Sequence, residues 1–191
     1  MQSARSPGKP HQPHVGSGVA VGPYEVLATG TQYEVNPAFG HLFDAPDTVL
    51  VPLTPQFPGA FGNHYQMLWA PLKDFGGVPA DWEWFLTGTV VPMLQGGQTL
   101  LAYCVGSHGR TGTFLASLIA LLETEAETPD PIAAVRERHC EKAVETLEQA
   151  KAIFALRGQA VPTEYLKQFA KDSGSFGRTT LVAATQPKKG K

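Results

Sequence analysis

The segment Cys104-Val105-Gly106-Ser107-His108-Gly109-Arg110-Thr111-Gly112-Thr113 constrains this chain more than any other. It joins an apolar run suited to a buried strand, Thr99 to Tyr103, to a helical run beginning near Arg110. That second run is apolar on nearly all faces to about Glu123, as a central core helix should be. A cysteine therefore stands on a strand-to-helix turn, with an arginine six residues on and two glycines between. Such a turn aims successive backbone N–H groups, and the positive end of a helix, at one spot. That spot suits a phosphate, and the same field favours a thiolate over a thiol. One loop thus supplies a nucleophile and a seat for the dianion it would attack.

The surrounding pattern reads β first, then α. Tyr24 to Thr29 and Thr31 to Val35 look like strands around Gly30, and Thr48 to Leu53 and Gln66 to Ala70 are two more short ones. Pro79 to Leu94 has helical apolar spacing, with Pro79 near its first position. After the core helix, Asp130 is placed to cap a helix from Pro131 to about His139, and helices follow near Leu147 to Leu156 and Glu164 to Lys171. Strands alternating with helices and then a helical run predict an α/β fold, a central mixed sheet flanked by helices.

Residues 1–22 are rich in Pro, Gly, Ser and His and read as a flexible arm; 172–191 read as a flexible basic tail. The catalytic domain is then expected over 23–171. Net charge is −2 and charged residues are 17% of the chain, so no global basic field argues for nucleic acid or a membrane as partner. No stretch approaches roughly 18 consecutive apolar residues, and the first residues lack a signal-peptide core. The expectation is a soluble, cytoplasmic protein. Two cysteines, Cys104 and Cys140, make a disulfide framework unexpected and favour a reducing compartment.

The Cys-x5-Arg spacing followed by Thr-Gly-Thr resembles the signature loop of the cysteine-dependent protein phosphatases, most of all their compact, dual-specificity-like members. The resemblance runs from about Thr48 to Phe154. It implies that Cys104 attacks phosphorus to form a phosphocysteine intermediate. Arg110 would grip two phosphoryl oxygens in a bidentate fork. The N–H groups of Val105, Gly106, Ser107, His108, Gly109 and Arg110 would complete the cradle. Gly106 and Gly109 would supply backbone angles or close approach that side chains obstruct. Thr111 would donate its hydroxyl to the cysteine sulfur, or serve as an ordinary first-turn residue. No cofactor or metal is implied. The expected partners are a phosphorylated protein or a small phosphate ester.

The leaving oxygen also needs a proton. Lys73-Asp74-Phe75-Gly76-Gly77-Val78-Pro79 resembles the family's mobile acid loop, which assigns that role to Asp74, with Asp81 as a weaker alternative. One residue more than usual separates this aspartate from the proline. Further on, Ala143 to Gln149 resembles the segment whose glutamine positions the hydrolytic water, and Gln149 is the matching position. Thr146-Leu147-Glu148-Gln149 is equally a capping box. Arg136 and Arg138 read as helix-surface charges.

Tyr103 stands where most relatives have a histidine before the nucleophile. No lysine occurs at the variable loop positions, and His108, when cationic, would add grip on a polyanion. A reversible Cys104–Cys140 disulfide would shield the nucleophile from overoxidation. The leading expectation is hydrolysis of phosphotyrosine, with phosphoserine and phosphothreonine beside it, in a shallow site. The alternatives are a non-protein substrate (a phosphoinositide, an RNA 5′ end or a small phosphate metabolite) and a non-catalytic pseudophosphatase that binds phosphorylated partners.

Overall fold

Val19 and Val21 alternate with exposed neighbours along Ser17–Val21 (β1), and Val26 and Ala28 turn inward from Tyr24–Gly30 (β2). The two pair antiparallel in a hairpin turned at Gly22, whose φ of 58° suits glycine and whose N–H donates to Glu123 Oε1 at 2.9 Å. The computed structural model describes residues 17–30, 47–56 and 66–175.

Thr99–Cys104 (β5) lies at the centre of the sheet, parallel to β2 on one side and to Thr48–Pro52 (β3) on the other. Gln66–Met67 (β4) adds the far edge, giving the order β1-β2-β5-β3-β4. β3 is buried throughout and β5 at every position but Thr99, as expected for strands covered on both faces. Leu100, Ala102 and Cys104 point into the main core, whereas Leu101 and Tyr103 join Leu50 in a smaller cluster on the opposite face.

The first helical stretch is Trp82–Phe85 (α1), a π turn over Leu86–Val90, and Val91–Gln95 (α2). Pro92 has no N–H to continue an α ladder back through Gly88, and the π turn falls there. Gly109–Leu122 (α3) is buried from Gly109 to Ala120 and packs on the sheet. Trp82 donates from its indole to Ser117 Oγ at 3.1 Å, fixing α1 on α3. Arg157 donates to the carbonyls of Ala120 (3.0 Å), Glu123 (2.9 Å) and Thr128 (2.6 Å), satisfying the C-terminal end of α3.

Asp130 caps Pro131–Arg138 (α4), accepting from the N–H groups of Ile132 and Ala133 at 2.9 Å each. Leu147–Ala155 (α5) begins with the complete capping box of Thr146 and Gln149. Thr163–Ser175 (α6) buries Tyr165 and Phe169, and the Tyr165 hydroxyl donates to Asp130 Oδ2 at 2.7 Å.

The mixed sheet with packed helices agrees with the α/β expectation. Two boundaries move. β1 falls inside the stretch expected to be an arm, because Val19 and Val21 suffice for a hairpin partner of β2. α6 continues to Ser175, past the expected domain end at 171. The expected strand Thr31 to Val35 lies outside the described residues. Among the described residues no helix is long and apolar enough to cross a membrane.

Candidate active site

Because β5 runs parallel between β2 and β3, its C-terminal end opens on the edge where open α/β sheets place their ligands. Cys104 is the last residue of that strand and is buried, and α3 starts five residues later at Gly109. Only the four residues 105–108 separate the strand end from the N-terminus of α3.

Of the two roles expected of the loop glycines, unusual backbone angles or close approach, the loop uses the second. Neither Gly106 nor Gly109 has a positive φ. The left-handed residue is Ser107, at φ 58°, fully buried. The glycines serve close approach instead. A Cβ on Gly109 would meet Glu145 Oε2, and one on Gly106 would come within 2.9 Å of His108 Cδ2.

Arg110 is only 5% exposed and its Nη2 lies 3.3 Å from Asp74 Oδ1. Its Nε is buried and has no hydrogen-bond partner among the described residues. Leaving such a donor unmade costs about 1–3 kcal/mol or more for a charged group, so the position fits a side chain held ready for an anion. Asp74 arrives from a loop whose next residue, Phe75, is left-handed at φ 52° and exposed. Gly76 donates back to the Lys73 carbonyl at 3.0 Å, and a Cβ there would lie 2.9 Å from Lys73 Cβ. The tight turn that delivers Asp74 thus needs glycine at 76.

Cys104, Arg110 and Asp74 line one pocket of about 160 Å³ with Val105, Gly106, His108, Gly109, Phe75 and Glu145. Asp81 lies elsewhere, in a cavity of about 180 Å³ walled by Trp69, Trp82 and Phe85. Thr111 is fully buried, and its Oγ1 makes no hydrogen bond, to Cys104 or to any other described group. Gln149 is buried and outside the pocket lining. Its Oε1 accepts from the N–H groups of Glu145 (2.8 Å) and Thr146 (3.3 Å), so its carbonyl is engaged in the cap.

Glu145 is the acidic residue that sequence reasoning missed. It immediately precedes the Thr146 cap, and only the packing of that cap against α3 turns it into the pocket. Burial pushes its carboxyl above the ordinary carboxylate range, and the charge of Asp74 acts in the same direction. A hydrogen bond from the Gly109 N–H, with Arg110 and Lys142, pulls the other way without cancelling the rise. Arg136 and Arg138 do not reach the pocket. Arg136 donates to the carbonyls of Ala143 (3.0 Å) and Val144 (3.1 Å), and Arg138 pairs with Glu123 at 2.5 Å.

Neither Cys104 nor Cys140 is in a disulfide. Cys140 Sγ lies 3.3 Å from His108 Nδ1, and burial raises its thiol above the usual range.

No family model matches the chain. Two uncharacterized proteins of Methanocaldococcus jannaschii are similar in sequence. One is 34% identical over 101 residues, 53% of this chain and 60% of that protein. The other is 33% identical over 100 residues, 52% of this chain and 55% of that protein. The chain thus spans less than two thirds of either relative. Among solved structures, Tk-PTP in its active form superposes with a TM-score of 0.56 at 20% identity, over 75% of this chain and 98% of that one. Kinase associated phosphatase, with its catalytic-site cysteine substituted by serine, gives 0.57 at 13% identity, over 78% and 97%. Human DUSP28 gives 0.53 at 17% identity, over 79% and 97%. Identities this low speak for the fold, and the fold of this chain is that of the dual-specificity and tyrosine phosphatases.

Proposed function

We propose that the protein is a cysteine phosphatase that hydrolyses phosphotyrosine monoesters, with phosphoserine and phosphothreonine as further substrates. The observation that carries this reading is the meeting of Cys104 and Arg110, from one loop, with Asp74, from another, in one pocket. The Cys104 thiolate attacks phosphorus, and the ester oxygen leaves with the proton of Asp74. Arg110 and the loop N–H groups hold the charge that develops on the three remaining oxygens. Water then attacks the phosphocysteine, returns a proton to Asp74 and releases inorganic phosphate with the thiolate restored.

The charge balance of the pocket supports a monoester over a polyanion. Among the described residues Arg110 is its one arginine or lysine, and it shares the lining with two acidic side chains, Asp74 and Glu145. A phosphoinositide or an RNA 5′ end would bring further negative charge towards these groups.

Hydrolysis of p-nitrophenyl phosphate between pH 5 and 8, with a chelator present, tests the reading in wild type, Cys104→Ser and Asp74→Asn. Turnover should resist the chelator and vanish in Cys104→Ser. Asp74→Asn should lose about 10²-fold or more on a phosphotyrosine peptide, and less on p-nitrophenyl phosphate, whose leaving group departs without an acid. A wild type that binds vanadate but hydrolyses neither substrate would replace this reading with that of a phosphate-binding pseudophosphatase.

A further inference from the structure

Ser107 poses a problem inside the loop. It is a non-glycine residue in left-handed backbone conformation, fully buried, at the middle of the segment that would cradle phosphate. Such a conformation costs about 1–3 kcal/mol and persists only where the surroundings enforce it. Two consecutive residues after α4 supply the enforcement. His139 Nε2 lies 2.7 Å from the Ser107 carbonyl oxygen and 3.3 Å from Ser107 Oγ. Cys140 Sγ lies 3.3 Å from Nδ1 of the next loop residue, His108.

A carbonyl oxygen only accepts, so at 2.7 Å His139 Nε2 must carry a hydrogen, and the serine oxygen shares the same donor. The imidazole therefore spans main chain and side chain of one residue, which fixes both the peptide plane and the rotamer of Ser107. α4 is in turn anchored away from the pocket, by the Asp130 cap at its start and by Arg138 on Glu123 at its end. The clamp thus joins the loop to a rigid element.

We propose that His139 is the positioning residue of the phosphate loop, holding Ser107 left-handed so that the N–H groups on either side converge on the oxyanion bound at Cys104. Cys140 is the second arm of the same clamp, acting on His108. Tyr103 occupies the place before the nucleophile, so the loop is organised from α4 across the fold. The inference rests on the phosphatase reading above.

The test compares kcat/KM on p-nitrophenyl phosphate, tungstate affinity and melting temperature across variants. His139→Ala should lower kcat/KM and weaken tungstate binding, each by about tenfold or more. His139→Gln, whose amide nitrogen reaches the place of Nε2, should recover most of the loss. His139→Asn, which stops short of it, should not. In a Ser107→Gly background, where φ 58° carries no penalty, the loss caused by His139→Ala should shrink at least threefold. If His139→Ala does not fold, the contrast between the Gln and Asn variants decides. Wild-type tungstate affinity in His139→Ala would overturn the proposal. So would a Gln variant no better than Asn, or an undiminished loss in the glycine background. Wild-type protein that neither hydrolyses the ester nor binds tungstate would overturn the phosphatase reading, and the proposal with it.

Discussion

Gly112 offers a quantitative check on how the site is assembled. It lies in the first turn of α3, where a Cβ would stand 2.8 Å from Ala143 Cβ and 2.9 Å from both Ala143 Cα and Val144 N. Two of these three atoms are backbone, and Arg136 ties that backbone through the carbonyls of Ala143 and Val144. The segment must therefore retreat by about 0.5 Å to regain ordinary contact while its anchors resist. Overpacking of this kind costs about 1–3 kcal/mol, and rigid backbone neighbours place it in the upper part of that range. Alanine in a helix returns about 1 kcal/mol at most, so the clash wins by about 1–2 kcal/mol. For a domain of this size that is a fall in Tm of roughly 2–8 °C. Gly88→Ala is the control, because the nearest described atoms to its Cβ would be Trp84 ring atoms at 3.6 to 3.9 Å, ordinary contact distances. There the propensity gain stands alone and Tm should rise. Thermal unfolding of the two variants beside wild type decides the matter. The strained turn also carries Arg110, two residues before Gly112, so Gly112→Ala should lose kcat/KM as well. A Gly112→Ala protein as stable as wild type, or a rise in both variants, would refute the packing argument.

Two titrations follow from the charged groups. Glu145, raised by burial and by Asp74, gains its charge at higher pH than an ordinary carboxylate, and once ionised it opposes a bound dianion. Tungstate affinity should therefore fall as pH rises through the Glu145 transition, and Glu145→Gln should flatten that fall; identical profiles would remove Glu145 from the pocket electrostatics. For Glu123, burial alone would raise the carboxyl. Hydrogen bonds from Arg138, Thr128 and the Gly22 N–H outweigh burial and hold it at about 2 against an ordinary 4.5. Its stabilising contribution is complete above pH 4.5 and is lost as pH falls from there towards 2. Urea midpoints of wild type should thus drop more steeply across this window than those of Glu123→Gln, and parallel curves would count against the network.

What the sequence by itself determined is the chemistry carried by contiguous residues. A run of strand residues, Cys104, five loop residues and Arg110 suffices to announce a nucleophile at the mouth of a helix, because i to i+6 spacing needs no tertiary information. The caps were readable for the same reason. Asp130 and the Thr146–Gln149 box act within three residues of themselves, and both form. The alternation of Val19 and Val21 was present too, hidden in a Pro- and Gly-rich stretch that masked a hairpin partner. Other features became visible only once α3, α4 and the segment before α5 were packed together. Glu145 and Gln149 sit on one short segment, yet packing turns the glutamate into the pocket and commits the glutamine carbonyl to the cap. His139 is an ordinary helix-end histidine in the sequence. It reaches Ser107, 32 residues away, only because α4 docks on α3. Local periodicity records which face of a helix is apolar, but which polar side chain meets which loop depends on how two helices cross. That is decided by the packing of the whole core.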